Sequence, residues 1–120
     1  MTKHNATLVD HLSGSSEIDI TVTGRKSGRS ITLPIWFVWE DGKLYLLPVK
    51  GSDIQWYKDV LKNPAMRIEA RGTAAEIKPV LVTDATQVKS IVDKFRTRYG
   101  AGDVKKYYSK FDVGIIAELS

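Results

Sequence analysis

Two short glycine turns carry the residue types best suited to chemistry. In Gly24-Arg25-Lys26-Ser27-Gly28-Arg29, three cations and a hydroxyl stand between and beside glycines that permit a tight backbone. Positive charge, a hydroxyl and exposed N–H groups are what an anionic phosphate needs. The same six residues also make an ordinary polar hairpin turn, and their spacing is not that of a Walker A loop. Val49-Lys50-Gly51-Ser52 stands just ahead of a helix beginning near Asp53. A helix N-terminus offers free N–H groups and the positive end of its dipole to an anion. The plainer use of these residues is capping by Ser52 or Asp53. Both turns flank one hairpin, so the fold can bring them together, and two converging basic turns say more than one.

Other chemistries fall away. The chain has 120 residues and no cysteine, which removes disulfide scaffolds, thiol nucleophiles, iron–sulfur clusters and Cys-ligated zinc. Its two histidines, His4 and His11, both lie in the polar N-terminal stretch, so neither a His-based metal site nor a Ser-His-Asp triad is expected. Glu17, Asp19 and Glu69 fall on strands at spacings that form no acid/base couple, and read as solvated strand faces. No window approaches the about 18 apolar residues of a membrane span, and Met-Thr-Lys-His-Asn-Ala has no apolar leader core. A cytoplasmic location is expected. Eighteen Lys and Arg against 14 Asp and Glu give a net charge of +4, which permits an anionic partner without requiring one.

The elements that must position these turns follow from periodicity. Residues 1–16 read as a flexible lead-in, with one helical turn around Thr7 to Leu12, and 17–120 as a single domain. Glu17 to Thr23 alternates, with Ile18, Ile20 and Val22 on one face of a half-buried strand. Ser30 to Trp39 is a β-branched and aromatic strand whose Pro34 marks an edge, a bulge or a ligand approach. Asp41-Gly42 predicts a type I′ hairpin, and Lys43 to Val49 the return strand. Ser52-Asp53-Ile54-Gln55 resembles a capping box for a helix that Asn63-Pro64 ends. Met66 to Ala70 and Ala74 to Val82 are strands joined by Arg71-Gly72. Val88, Ile91, Val92, Phe95 and Tyr99 have helical spacing up to Gly100, Asp103 caps a short helix through Lys110, and Asp112 to Leu119 is a final strand. Tight connections imply antiparallel pairing, hence a mostly β fold, a six-stranded antiparallel barrel with flanking helices.

Thr23-Gly24-Arg25-Lys26-Ser27-Gly28, the strand through Pro34, Lys50-Gly51, Trp56-Tyr57 and Leu61-Lys62-Asn63-Pro64 together resemble the deazaflavin-dependent nitroreductase group. That group belongs to the flavin/deazaflavin oxidoreductase superfamily, with the FMN-binding split β-barrel fold. The resemblance runs from about Ile18 to Leu119 in the same element order. It implies that Arg25, Lys26, Ser27 and Gly28, with Lys50, Gly51 and Ser52, hold the cofactor's phosphate and acidic tail. It implies that Pro34, Ile35 and Trp36, with Leu47, Pro48 and Val49, line the tricyclic ring, and that Trp56 walls the pocket. Tyr107 and Tyr108 match the region where relatives carry tyrosines over the substrate. As residues alone, Trp56 reads equally as a core aromatic, and Tyr107 and Tyr108 as one face of an amphipathic helix. Trp36 is bulkier than its counterpart in many relatives, which would narrow the ring site, and the N-terminal lead-in is shorter.

The resemblance implies an oxidoreductase passing hydride from reduced deazaflavin, coenzyme F-420, to a small electron-poor acceptor such as a quinone, enone or nitro compound. FMN is the alternative cofactor, and a homodimer is possible. A flavin or deazaflavin carries the hydride itself, so the absence of nucleophile, metal set and histidine base fits this reading. A non-catalytic small-molecule carrier on the same barrel is a second reading. A third is a single-stranded nucleic-acid barrel stacking bases on Trp36, Trp39 and Tyr45. A charge of +4 is low for that role, so nucleic acid is not the expected partner.

Overall fold

Alternating apolar residues build the centre of the molecule. The computed structural model describes residues 3–118, with side chains from Leu8 onward; Leu119 and the His4 side chain lie outside the described residues. In β1 (Ile18–Thr23), Ile18, Ile20 and Val22 are buried while Asp19, Thr21 and Thr23 face outward. β1 pairs antiparallel with β2 (Ser30–Ile35) on one side and β5 (Met66–Ala70) on the other. β6 (Thr73–Ile77) completes a first sheet of order β2-β1-β5-β6. The second sheet runs β3-β4-β8-β7, from β3 (Phe37–Glu40), β4 (Lys43–Leu46), β7 (Val80–Val82) and β8 (Gly114–Glu118).

Eight strands thus stand where the sequence pattern suggests six. Each of the two long expected strands is divided by a bend that carries it from one sheet to the other. The first breaks at Trp36, two residues after Pro34, and the second at Lys78-Pro79. Proline lacks the N–H that would continue a ladder, so the chain turns a corner near it. The sheets are joined at both ends by these continuous strands rather than by hydrogen bonds, and the barrel is not closed by pairing. Pro34 lies on β2, at the open edge of the first sheet. The Asp41-Gly42 turn has φ of 52° and 75°, as type I′ geometry requires, and Arg71-Gly72 repeats it at 50° and 81°.

The polar stretch expected to be a loose lead-in is instead a helix, α1 (Lys3–Ser13), whose Leu8 and Leu12 are fully buried in the core between the sheets. The His11 Nδ1–H donates to the Ala70 carbonyl at 3.0 Å and fixes the helix against β5. α2 (Gln55–Lys62) packs Trp56, Tyr57 and Val60 into the same core. A second core lies behind the second sheet, where α3 (Ala85–Tyr99) and α4 (Ala101–Tyr107) contribute Val88, Ile91, Val92, Phe95 and Val104. Asp84 caps α3 by accepting the Gln87 N–H at 3.0 Å. The short helix expected from Asp103 to Lys110 starts and ends earlier, because Gly100, at φ 96°, both ends α3 and opens α4.

Candidate functional site

The bend at Trp36 opens a cleft of about 370 Å³ between the two sheets. One wall is the β2 edge, with Leu33, Pro34, Ile35 and Trp36; the other is Leu47 and Val49 after β4. Ile54 and Trp56 at the start of α2 close one end, and Tyr107 and Tyr108 at the end of α4 cover another. Eight of the residues expected at the ring and substrate positions therefore meet around one cavity. Leu33, Ile54 and Glu17 join them without having been expected there, and Glu17 supplies the charge in the lining.

Aromatic packing holds the cleft in shape. The Trp36 indole stacks on Tyr99, with ring centroids 4.2 Å apart and planes 10° from parallel, and meets Tyr107 edge-on at 5.6 Å. The Tyr99 hydroxyl donates to the Phe37 carbonyl at 2.7 Å and accepts the Phe37 N–H at 3.1 Å, so the stack is anchored to the bend itself. Trp36 is thereby held against one wall rather than left across the opening. Tyr99 shows in the sequence only as one more apolar position on a helix. Trp56 and Tyr108 are 4% and 5% exposed, yet the Trp56 indole N–H and the Tyr108 hydroxyl find no hydrogen-bond partner among the described residues. Burial, then the neighbouring Tyr99 oxygen, pushes the Tyr108 phenol well above its ordinary range, so it stays protonated. Neither atom is sealed from solvent, since no buried side-chain nitrogen or oxygen among the described residues lacks a partner.

Trp36, Trp39 and Tyr45 do not form one stacking platform. Trp39 packs against the core between the sheets, whereas Trp36 and Tyr45 pack against the core behind the second sheet.

The first glycine turn is fastened to α2. The Arg25 N–H and Nη1 both donate to Asp59 Oδ1, at 3.1 and 2.7 Å, and Nη2 reaches Gln55 Oε1 at 2.6 Å. The Asp59 side chain is only 4% exposed, so this pair is largely withdrawn from water. Arg25 is thus committed inside the chain. The exposed Lys26 and Arg29 side chains have no ion-pair partner among the described residues. Gly28 has φ 70° and closes the turn by donating to the Gly24 carbonyl at 2.9 Å, while Ser27 Oγ accepts the Arg29 N–H at 3.2 Å.

The second turn departs from expectation. Ser52-Asp53-Ile54-Gln55 forms no capping box: Gly51–Asp53 is a 3-10 turn, and α2 starts after Ile54 without a side-chain cap. Nor are the N–H groups from Gly51 to Ile54 free. Those of Gly51, Asp53 and Ile54 donate to the carbonyls of Pro48, Lys50 and Gly51, and that of Ser52 donates to Asp112. Pro48 is buried beneath the turn, and Lys50 is exposed without an ion-pair partner among the described residues. The segment after α4 is tied along this turn: Ser109 N–H to the Val49 carbonyl at 2.9 Å, Lys110 Nζ to Asp53 at 3.1 Å, and Asp112 to Ser52. These ties set Tyr107 and Tyr108 over the cleft. Asp59 and Asp112 carry no signal in the sequence, because their partners lie 34 and 60 residues away.

Burial alone would raise the Asp112 carboxyl, but the hydroxyl and N–H of Ser52, with Lys110, outweigh it and hold the group below its ordinary range. A depressed folded value stabilises the fold above the unfolded carboxyl value, about 3.9. That stability is lost as pH falls below it through the folded value. Urea midpoints measured from pH 6 down to acid should therefore fall less steeply for Asp112→Asn than for the native chain. Equal slopes would show that Asp112 contributes nothing to acid stability.

The fold recurs in solved structures of low identity. A structure of an F-420-H2 dependent reductase (FDR-A) superimposes with a TM-score of 0.66 at 20% identity, over 86% of this chain and 94% of that one. The heme storage protein HutZ of Vibrio cholerae gives 0.70 at 10% identity, over 99% and 92%. A proposed pyridoxamine 5′-phosphate oxidase of Listeria innocua gives 0.68 at 13%, over 97% and 93%. These likenesses bear out a mostly β fold with flanking helices, of the kind the resemblance implied. No curated protein matches the chain in sequence. A family model does match, over residues 8–111, and the chain belongs to that family, the uncharacterized proteins conserved in bacteria known as DUF2255.

Proposed function

We propose that this protein is a cytoplasmic reductase that binds coenzyme F-420 in the cleft at the Trp36 bend and serves a small electron-poor acceptor, such as a quinone, enone or nitro compound. The observation that carries the reading is the cleft itself, an aromatic and apolar slot with two unpartnered polar groups, on a fold shared with an F-420-H2 dependent reductase. Its volume of about 370 Å³ lies within the usual range of small-ligand sites and suits a flat ring, with the tail left outside. Pro34 to Trp36, with Leu47 and Val49, would line the ring, and the exposed Lys26, Arg29 and Lys50 would attract an acidic tail. The deazaflavin supplies the hydride chemistry when bound. The chain's part is to orient ring and acceptor between Trp36, Trp56 and Tyr107 and to exclude water. The protonated Tyr108 hydroxyl can donate a hydrogen bond to an oxygen of either ligand. FMN is the second reading, since neither the slot nor the cations separate it from F-420. The open edge of β2 and the exposed Ile31 beside it would suit a homodimer.

Titration with F-420, FMN and riboflavin, followed by ring fluorescence, tests this directly. F-420 should bind in the micromolar range, and Lys26→Ala should weaken it about tenfold, the scale of one charge-assisted contact. Oxidation of the reduced cofactor by menadione then distinguishes an enzyme from a carrier. Failure of all three ligands to bind, with salt-dependent binding of single-stranded RNA instead, would overturn the reading.

A further inference from the structure

The second glycine turn already holds an anion, and the anion belongs to the chain. Asp112 Oδ1 accepts the Ser52 N–H at 2.9 Å, and Oδ2 accepts the Ser52 hydroxyl at 2.5 Å. Gly51 makes the approach possible: its φ is +56°, and a Cβ there would stand 2.1 Å from Asp112 Oδ1. Lys110 Nζ lies 3.7 Å from the same carboxylate. A backbone N–H, a hydroxyl and an ammonium converging on one point are the donors that would otherwise take a phosphate oxygen. A phosphate cannot use them while Asp112 remains, because these donors are already engaged and the two anions repel, which leaves only the exposed Lys50 beside them. The first turn differs. Its internal carboxylate, Asp59, engages Arg25 and leaves the Lys26 and Arg29 side chains exposed and without an ion-pair partner among the described residues.

We propose that Asp112 is a specificity-determining residue: its carboxylate closes the Gly51-Ser52 turn to phosphate, so an acidic ligand tail is gripped at Lys26 and Arg29 and not at Ser52. The inference rests on the cofactor reading above only for the identity of that tail. Its consequence is selective. Phosphate near the ring adds little affinity, and charge further along the tail adds more.

The test titrates inorganic phosphate into the 15N-labelled full chain and follows the Gly51 and Ser52 amides. The native chain should show no saturable shift there, whereas Asp112→Ala should show one, with phosphate bound at least tenfold tighter. Asp112→Asn keeps the size of the side chain, removes its charge, and should gain phosphate binding in the same direction. It carries the test should Asp112→Ala fail to fold, which loss of amide dispersion would reveal. Saturable binding at Ser52 in the native chain, or none in any folded variant, overturns the proposal. A second measurement compares FMN with riboflavin. Their affinity ratio should lie near one in the native chain and rise about tenfold in Asp112→Ala. An unchanged ratio with both ligands bound counts against the Asp112 proposal. Gain of phosphate binding in a chain that binds no flavin or deazaflavin supports it, and overturns only the cofactor reading.

Discussion

Leu12→Ala is expected to destabilise the protein by about 3 kcal/mol, within the range for deleting a buried leucine side chain. Leu8 and Leu12 are one helical turn apart in α1, both fully buried, and both packed into the core between the sheets. Truncation at Leu12 leaves a cavity where α1 packs on β5 and β6, paired strands of one sheet that cannot close in on it. A chain of this size has stability on the order of 5–15 kcal/mol in all, so the loss should appear as a clear fall in the urea midpoint with little change in slope. A cost below about 1 kcal/mol would mean that α1 is not part of the cooperative unit.

That helix was poorly legible in the sequence, and the reason is physical. Asn5, Thr7, Asp10 and Ser13 are indifferent helix formers, and eleven residues are too few for a stable isolated helix. Tertiary contacts form it instead. His11 reaches Ala70, Arg71 Nη2 donates to the Gly14 carbonyl at 2.8 Å, and the Tyr99 hydroxyl shares its one proton between the Ser16 carbonyl at 2.8 Å and the Phe37 carbonyl at 2.7 Å. Where the pattern is local the reading succeeds. The alternation of Ile18, Ile20 and Val22 and the two left-handed hairpin turns are fixed by residues a few positions apart. The strand count was misread because a sheet-changing bend and a straight strand share one β-branched, aromatic composition.

Arg25→Met is expected to cost about 3 kcal/mol, the low end for removing one partner of a buried ion pair. The low end applies because the Arg25 side chain is 26% exposed and the backbone N–H of residue 25 still donates to Asp59, whose side chain is 4% exposed. The double variant Arg25→Met/Asp59→Leu should recover most of the loss, since an apolar pair of similar volume carries no stranded charge. Denaturation midpoints of the two single variants and the double variant form the cycle. A single-variant cost under about 1 kcal/mol, or a double variant no better than the sum of the singles, would show the pair to be incidental. Ligand titration of the same proteins should show weaker binding of F-420, the proposed cofactor, in Arg25→Met even where it is folded, because the turn bearing Lys26 and Arg29 keeps only its backbone bond to Asp59 and loses the side-chain bonds to Asp59 and Gln55.

The candidate site was legible in outline for the same reason that it was misread in detail. Glycines and cations announce a turn that can meet an anion, and Trp56, Tyr107 and Tyr108 announce walls. Which donors remain free depends on carboxylates elsewhere. Asp59 has the look of a surface acid on an amphipathic helix until the 24–28 turn is laid across it, and Asp112 becomes the occupant of the second turn only when the last strand is in place.

The strand order also sets a sequence of events in time. The first sheet is assembled within residues 18–77, so its four strands can pair as soon as that stretch exists. The second sheet cannot. β4 and β7 meet only through β8, which pairs Lys43 with Glu118 across 75 positions, 118 minus 43. Closing such a long loop is slow, which places folding in the milliseconds-to-seconds regime of topologies rich in distant contacts. Tyr107, Tyr108 and Asp112 immediately precede β8. Arrival of that strand therefore covers the cleft and fills the second turn in a single late step, and a nascent chain short of residue 114 would present both open.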